Sequence, residues 1–393
     1  MKYNVEHLLD QDAFHCTSCS CCYLCCPVNA ISMLPDELAI LNPKVDNSKC
    51  ISCGICVNKC PQLNPVLKAL DDQKAFICYR NDSLEKRLIS RSGGVFALLA
   101  SEYIRINGVV YGSICNHYDV SHSRAETEDQ IKHMLGSKYT ESIIAKTILI
   151  QLIDDVDNGR DILFSGLPCQ IAMIKSFLSY KKVSTDRILF IDLACHGVVA
   201  PKVFHDYILD LENKHGTIKE FLFRDKSYKG WNSHYESFIE KNGKKRYQNK
   251  FASLFGFSIV YKRSCYDCQY SSVYRLGDIT LADAWGIEQK NRDFFDNNGC
   301  SLVLVNTNKG RGYFSKIIPS LKFKEILVED YLSSSFTKRV DYFNKISALR
   351  RKYVSKGYKW ISRYCYIKWN FLLLYMNLKH KMAIVLKKAR LIK

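Results

Sequence analysis

Hydrophobic and polar positions divide the chain into three parts, and the middle part has the clearest pattern. Its apolar runs Gly108–Cys115, Asp161–Ser165 and Arg187–Leu193 predict buried strands. Helical periodicity covers Thr140–Val156, between the first and second runs, and Gln170–Leu178, between the second and third. Strand, helix and strand in this order predict a β-α-β unit in a parallel or mixed sheet.

The first part, residues 1–70, is organised by two cysteine runs rather than by apolar periodicity. CTSCSCCYLCCP and CISCGICVNKCP are separated by 22 residues. Both runs contain C-x2-C-x2-C-x3-C-P, the ligand pattern of two-cluster bacterial ferredoxins. Residues 1–70 are therefore predicted to form a ferredoxin-like domain, with a hairpin over residues 31–42.

In such ferredoxins the fourth cysteine of each run binds the other cluster, so the two ligand sets cross. Site I is predicted to hold one 4Fe–4S cluster on Cys16, Cys19, Cys22 and Cys60. Site II is predicted to hold the other on Cys50, Cys53, Cys56 and Cys26.

Zinc and disulfides are the alternatives to clusters at these cysteines. Zinc would not explain the third cysteine and the proline in both runs. A disulfide framework would need a secretory signal, and the first 14 residues contain no apolar core of signal length. Cys21 and Cys25 are surplus thiols, and Cys25 could replace a neighbour in site I.

A third ligand set follows from the predicted sheet. Cys169 and Cys195 each follow the carboxyl end of a predicted strand, and parallel strands place those ends at one edge. Cys265 and Cys268 form a C-x2-C pair. Site III is therefore predicted as a third 4Fe–4S cluster on these four cysteines. The alternative is that Cys169 and Cys195 are inert buried thiols and the pair binds nothing.

Two polar features lie near the predicted sheet edge. Ser90–Gly94 precedes an apolar helical run, where a helix N-terminus and Arg91 favour an anion, although a plain turn and cap explain it equally well. His196, beside Cys195, is either a proton donor near a cofactor or a residue that fixes the loop by hydrogen bonding. No G-x-G-x-x-G is present, so a Rossmann dinucleotide site is not indicated.

Charge is concentrated in the third part of the chain. The net charge is +18, and residues 350–393 contain 13 Lys or Arg and no Asp or Glu, which leaves +5 for the first 349 residues. The body is therefore only mildly basic, and nucleic-acid binding is not predicted. The tail, residues 341–393, is predicted to form one or two basic amphipathic helices. They either lie on an anionic membrane surface or pack on the body or a partner; the longest uncharged run is too short to cross a bilayer.

Several motifs together resemble one known family. They are Ser90–Gly94, Gly136–Tyr139, Ser165–Gln170, Asp192–Gly197, Phe223–Lys226, Cys265–Cys268 and Gly277–Leu281. In this order they resemble the beta subunit of coenzyme F420 hydrogenases and dehydrogenases, including relatives found beside bacterial surface-polysaccharide genes. The resemblance implies FAD, with these candidate binding residues: Arg91, Ser92, Gly93, Gly94, Lys138, Tyr139 and Gly166.

These observations predict an α+β or α/β protein with three domains. Residues 1–70 form the ferredoxin-like domain, residues 71–340 a mixed-sheet flavin and iron–sulfur domain, and residues 341–393 the helical tail. The predicted function is an oxidoreductase that passes electrons between 4Fe–4S clusters and FAD to reduce or oxidise an organic substrate, in surface polysaccharide biosynthesis. The alternative is a non-catalytic electron-transfer subunit. Expected partners are a ferredoxin or a hydrogenase/dehydrogenase-type subunit, and the expected location is the cytoplasm, with the tail at the inner face of the cell membrane as one alternative.

Overall fold

The computed structural model describes residue 5 and residues 16–66, 72–337 and 344–390. The two predicted domain boundaries, at 70/71 and 340/341, lie outside the described residues and stay predictions. The strands are β1 (Ile31–Pro35), β2 (Leu41–Val45), β3 (Lys74–Arg80), β4 (Val109–Asn116), β5 (Asp119–Ala125), β6 (Ile162–Gly166), β7 (Ile188–Leu193), β8 (Ile218–Leu222), β9 (Glu236–Glu240), β10 (Lys245–Gln248), β11 (Ile279–Asp283), β12 (Ser301–Val305) and β13 (Leu321–Ile326).

The helices range from single turns to a long C-terminal helix. They are α1 (Cys21–Cys25), α2 (Ile55–Asn58), α3 (Leu84–Ile89), α4 (Val95–Arg105), α5 (Glu128–Lys132), α6 (Lys146–Asp157), α7 (Pro168–Lys181), α8 (Pro201–His215), α9 (Lys250–Gly256), α10 (Ile287–Lys290), α11 (Asn308–Ile317), α12 (Ser334–Thr337) and α13 (Asn344–Arg390).

An eight-stranded mixed sheet forms the centre of the protein. Its strand order is β13-β3-β12-β11-β7-β6-β4-β5. Strands β4, β6, β7 and β11 are parallel, and the remaining neighbours pair antiparallel. This confirms the predicted mixed sheet and its β6-α7-β7 unit.

Alternating side chains of the parallel strands explain why the sheet is covered on both faces. Ile162 and Phe164 of β6 pack with α6 and α7, whereas Leu163 packs on the opposite face with α4 and α11. Strand β7 repeats the pattern, with Phe190 on the first face and Leu189 on the second. The first residues of both strands, Ile162–Phe164 and Ile188–Ile191, are therefore apolar on both faces, as the sequence predicts.

One predicted element begins later than expected. Helical periodicity starts at Thr140, but α6 starts at Lys146. Thr140 instead forms a parallel bridge with Val199, and its hydroxyl donates to the Val199 carbonyl at 2.9 Å. Ile143 forms a similar bridge with Ser121. These long-range contacts hold the segment extended, which local periodicity does not reveal.

The N-terminal part forms a small unit that docks on the body. Its hairpin is β1–β2, which confirms the predicted position, and α1 lies against α7. The contact is polar at its edges: Ser176 donates to the Lys59 carbonyl at 2.7 Å, and Gln269 donates to the Pro61 carbonyl at 3.0 Å. The cysteine runs therefore face the carboxyl edge of the large sheet.

The tail helix α13 packs on the body over its described first half. A break at Gly357, with φ 75°, divides it. Tyr353, Ile361 and Cys365 are buried against α8, α9 and the small sheet β10-β9-β8. Packing on the body, one of the two predicted alternatives, is thus observed up to Trp369, and membrane contact stays a prediction. No helix among the described residues combines the length and apolar character that crossing a membrane requires.

Candidate iron–sulfur sites and adjoining cleft

The structure gathers the four cysteines of site I. Burial raises the pKa of Cys16 to about 12, and the nearby Cys19 and Cys60 add to the shift. The pKa of Cys22 is raised mainly by burial, and Cys19, Cys16 and Cys60 are the neighbouring thiols that add to this shift. Cys60, from the second run, therefore lies with three cysteines of the first run. The residues come together in the crossed grouping, and their role as ligands remains a prediction.

Site II is more open to solvent than site I. Cys50 and Cys56 are half-buried and Cys53 is exposed. Cys26 packs in the same cluster of residues and accepts a hydrogen bond from the Ala30 amide at 3.2 Å. The exposed thiol places site II where a partner protein can reach it.

The surplus thiols Cys21 and Cys25 lie next to each other, and of the site I cysteines only Cys19 packs against the same core. Their sulfurs are 4.0 Å apart, and Cys21 donates to the Lys59 carbonyl at 3.2 Å. Both pack in the core formed with α7, whereas Cys22 packs with the cysteines of sites I and II. The geometry favours Cys22 over Cys25 as the ligand of site I.

Site III is assembled at the carboxyl edge of β6 and β7. Cys169 lies in the first turn of α7, just after β6, and Cys195 follows β7. Cys265 ends a short 3-10 turn, with Cys268 three residues later. All four cysteines line one cavity at this edge of the sheet.

Burial makes the site III thiols poor anions by themselves. Burial raises the pKa of Cys195 to about 11, and the neighbouring Cys268 adds to the shift. Burial likewise raises the pKa of Cys265 to about 12, and there Cys195 adds to the shift. The pKa of Cys169 is raised in the same way. Four clustered, buried thiols are stable as thiolates when metal charge compensates them.

The donor set of the cavity, four cysteine thiols, is the one that an iron–sulfur cluster uses. No three His, Cys, Asp or Glu side chains in the described part of the chain converge closely enough to hold one ion. A 4Fe–4S cube needs one thiolate at each of four iron corners, so its ligands stand farther apart. Ser18 lines the same cavity, and its buried hydroxyl has no hydrogen-bond partner within the described ranges, which fits a polar occupant.

Site III is next to site I. Cys19 lines the site III cavity. Tyr270 also lines it and interacts electrostatically with Cys19, Cys169 and Cys268. The Tyr270 hydroxyl accepts a hydrogen bond from Gln62, which follows the second cysteine run, at 3.0 Å. One tyrosine thus connects the N-terminal unit and both cysteine sets.

Most of the residues that the resemblance assigns to flavin binding are engaged by the protein itself. Ser92 donates to the Cys300 carbonyl at 2.7 Å, and a Cβ at Gly93 would lie 2.4 Å from the Cys78 carbonyl oxygen. Lys138 donates to the carbonyls of Met134 and Leu135, both at 2.8 Å. Burial lowers the pKa of Lys138 to about 7.

The glycines of this set have separate structural duties. Gly94 has φ 87° and precedes α4, a conformation that glycine adopts without strain. Gly166 ends β6, where a Cβ would meet the Gln170 side chain at 3.2 Å. Their role toward a flavin stays a prediction.

Arg91 and Tyr139, by contrast, lie close to Arg224 and Trp285, and we name this group of four residues the aromatic cleft. The guanidinium carbons of Arg91 and Arg224 lie 5.6 and 5.1 Å from the Trp285 ring centroid. Burial raises the pKa of Tyr139, but Arg224 and Arg91 outweigh it and lower the pKa overall. The aromatic cleft thus presents two neighbouring cations, which favour an anionic group.

Arg91 is only partly satisfied inside the protein. Its Nη2 pairs with Asp283 at 3.1 Å, but its buried Nε has no hydrogen-bond partner among the described residues. Asp283 also accepts from the Trp231 indole at 3.3 Å, and Trp231 stacks on Trp285 at 4.9 Å. An unsatisfied buried donor beside an aromatic face fits a bound acceptor group.

His196 stands between the site III cavity and aromatic rings near Tyr139. It lines the cavity, and its Nε2 is 3.4 Å from the Ser258 hydroxyl. Its ring lies 6.0 Å from Phe255, which stacks on Tyr139 at 4.2 Å. Burial lowers the pKa of His196, so the neutral ring is favoured. The contact with Ser258 supports the loop-fixing alternative.

Two functional features were not predicted from the sequence. The first is the contribution of Trp231, Arg224 and Trp285 to the aromatic cleft; Arg224 stands in the Phe223–Lys226 motif, where no role was assigned to it. The second is Lys262, whose ammonium is buried beside site III. A lysine three residues before a C-x2-C pair is the only local signal, and it is a weak one.

Comparison with known proteins defines the class first. Residues 43–63 match the 4Fe-4S binding domain, which makes this chain an iron–sulfur protein of the electron-transfer class. Residues 159–329 match the C-terminal part of the coenzyme F420 hydrogenase/dehydrogenase beta subunit family. The predicted resemblance to that family is thus confirmed over this segment, which is less than half of the chain.

Two further proteins are similar to the chain. An uncharacterized protein of Methanocaldococcus jannaschii is 27% identical over 66 residues, so the match spans 17% of this chain and 27% of the relative. A chain of the F420-reducing [NiFe] hydrogenase complex from Methanosarcina barkeri, solved for xenon derivatization, is 17% identical with a TM-score of 0.47. That match covers 74% of this chain and 92% of the other.

Proposed function

We propose that the chain is an oxidoreductase subunit that conducts single electrons between its N-terminal sites and site III, beside a flavin held in the aromatic cleft. The observation that carries the proposal is that Cys19 of site I lines the same cavity as the four cysteines of site III. When bound, iron–sulfur clusters carry single electrons, and a flavin exchanges them for the electron pair that an organic substrate needs.

The cysteines would hold the clusters in a defined order from surface to interior. Cys53 of site II is exposed, so site II is the natural point of contact with a ferredoxin or another redox partner. Site I lies between site II and site III, because Cys60 joins site I to the second run and Cys19 borders site III.

The aromatic cleft would bind and orient the flavin rather than react with it. Trp285 holds the two guanidinium groups of Arg91 and Arg224 near its ring, and these cations favour negative charge on a flavin phosphate or on reduced flavin. The Nε of Arg91 can donate to a bound oxygen or nitrogen. The resemblance supports FAD as the occupant and surface-polysaccharide assembly as the setting of the reaction.

A relay subunit without its own substrate is the second candidate. It is favoured by one observation: Ser92, Gly93 and Lys138 are already engaged by backbone groups of the protein. In this function the chain would carry electrons to a partner subunit through sites I to III.

Flavin release from anaerobically purified protein separates the two functions. We expect about one FAD per chain on denaturation if the cleft is a flavin site. A chain with iron but without flavin would overturn the enzyme proposal and leave the relay.

The path is tested by following flavin absorbance after adding reduced ferredoxin to the holoprotein. Cys195→Ser should slow flavin reduction by at least tenfold, because it removes one thiolate of site III. Cys365→Ser is the matched control, since Cys365 is a buried thiol in the tail helix. Equal reduction rates in Cys195→Ser and the control would overturn the path through site III.

A further inference from the structure

Lys262 is a buried cation at the boundary between site I and site III. Its side chain is 6% exposed, and it lines the site III cavity. Its ammonium donates to the Thr17 carbonyl, in the first cysteine run, and to the Glu141 carboxylate. The side chain therefore connects the N-terminal unit to the body at the edge where the two sites meet.

The backbone of Lys262 also fixes its position relative to site III. Its amide donates to the Val198 carbonyl at 3.2 Å, three residues after Cys195. Its carbonyl accepts from the Cys265 amide at 3.0 Å. The ammonium is thus tied to the loops of two site III cysteines and cannot move away without disturbing them.

The charge of Lys262 reaches cysteines of both sites. It acts on Cys16 and Cys19 of site I. It also acts on Cys169, Cys195 and Cys265 of site III. One ammonium is therefore electrostatically coupled to five predicted ligands in two sets.

Glu141 keeps this lysine charged. Burial lowers the pKa of Lys262, but Glu141 and the neighbouring cysteines outweigh burial and raise the pKa overall. A buried ion pair contributes little to stability compared with apolar residues of similar size. The pair is therefore better explained by what its charge does to the two sites than by folding.

We propose that Lys262 is a positioning residue that makes the clusters of site I and site III easier to reduce by placing a fixed positive charge between them. Each cluster becomes more negative by one charge when it accepts an electron, and a nearby cation stabilises that reduced form. The expected effect of Lys262 on site III rests on the proposed cluster there, whereas its expected effect on site I is independent of that cluster.

The test is an anaerobic redox titration of the holoprotein, followed by electron paramagnetic resonance of the reduced clusters. Lys262→Met should shift the midpoint potentials of sites I and III to more negative values. We expect at least a tenfold change in the oxidised-to-reduced ratio at fixed potential, which corresponds to about 59 mV for one electron. Lys262→Arg keeps the positive charge, so its midpoint potentials should stay close to those of the unmodified protein.

A matched control and an opposite variant complete the design. Lys309 is a partly buried lysine that donates to the carbonyls of Thr185 and Ile188 at the other end of β7, so Lys309→Met should leave the potentials unchanged. Glu141→Gln removes the counter-charge of Lys262, while the neighbouring cysteines still favour its charged form, so both potentials should shift in the positive direction. This variant decides the question if Lys262→Met does not fold.

The outcomes separate the two proposals. Unshifted potentials in Lys262→Met and Glu141→Gln, with all clusters present, would overturn the role of Lys262 and leave site III intact. Two clusters per chain in the unmodified protein would overturn the cluster at site III. The midpoint potential of site I in Lys262→Met would then decide the role of Lys262 by itself.

Discussion

Asp192 and Arg275 form an ion pair whose side chains are 0% and 1% exposed, with 3.3 Å between Oδ1 and Nε. Asp192 is the last residue but one of β7 and stands three residues before Cys195. Its carboxylate also accepts hydrogen bonds from the amides of Leu276 and Gly277. Arg275 donates to the carbonyls of Tyr270 and Leu193. The pair therefore ties the Cys268 loop to the strand that leads to Cys195.

Breaking this pair should destabilise the fold and site III together. Arg275→Met leaves the Asp192 carboxylate buried without its cation, so we expect a loss of about 3–5 kcal/mol in the free energy of unfolding. Anaerobic denaturant titration measures the loss, and iron analysis should show less iron per chain. Arg105→Met removes an exposed arginine paired with Glu102 and is the matched control, with no measurable change expected. Equal stability of the two variants would contradict the structural role of the pair.

Gly93 should tolerate no side chain, because backbone atoms surround it. A Cβ there would lie 2.4 Å from the Cys78 oxygen and 2.9 Å from the Ser301 nitrogen. We expect Gly93→Ala to lower the free energy of unfolding by about 1–3 kcal/mol. Gly312→Ala, in α11 with no atom within 4 Å of its Cβ, should be neutral or stabilising by up to about 1 kcal/mol. A neutral Gly93→Ala would show that this backbone contact is looser than described.

His122 should make stability depend on pH in the acidic range. The His122 ring forms one hydrogen bond between Nδ1 and the Ser142 hydroxyl at 2.8 Å. Its Nε2 donates a second one to the Ser165 carbonyl at 3.0 Å. Burial lowers its pKa from 6.5 to about 4. The unfolded chain therefore binds a proton on His122 at a higher pH than the folded chain does.

The stabilising effect of neutral His122 is complete above its unfolded pKa and is lost as the pH falls toward its folded pKa. We expect about 2 kcal/mol of loss between about pH 7 and about pH 5. His122→Gln should remove that part of the pH dependence, measured as the free energy of unfolding of both proteins at each pH. Parallel pH profiles for the two proteins would contradict a lowered pKa at His122.

Trp369 should hold the tail helix on the body. Its ring lies 5.8 Å from Phe257 and 6.1 Å from His234, and a Cβ at Gly256 would meet it at 2.5 Å. Trp369→Ala should accelerate proteolytic cleavage within the tail by roughly tenfold, as expected for about 1.4 kcal/mol of local opening free energy. Phe371→Ala is the control, since Phe371 is 73% exposed. Equal cleavage rates for both variants would mean that Trp369 does not fasten the tail.

Local features of the sequence predicted the part of the fold that positions site III. Period and flanking residues identified β4, β6 and β7, because each is a short apolar run. Their parallel arrangement then placed Cys169 and Cys195 at one edge. The antiparallel half of the sheet was not predicted: β3 pairs with β12 and β13, more than 200 residues away, and such pairing leaves no local pattern.

Side-chain partners across long separations also could not be predicted. Lys262 and Glu141 are 121 positions apart, and Arg91 and Asp283 are 192 apart. Nothing in either local sequence distinguishes these residues from solvated charges. The resemblance named Arg91 and Tyr139 as candidates but gave no role to Trp285, because an aromatic residue just after a strand equally fits a core position.

Iron and acid-labile sulfide per chain, measured on anaerobically purified protein, test the central claim most directly. Three 4Fe–4S clusters predict about twelve iron atoms and about twelve sulfides per chain. Cys195→Ser should contain about eight of each, and Cys365→Ser should match the unmodified protein. About eight iron atoms in the unmodified protein, with no decrease in Cys195→Ser, would contradict a cluster at site III.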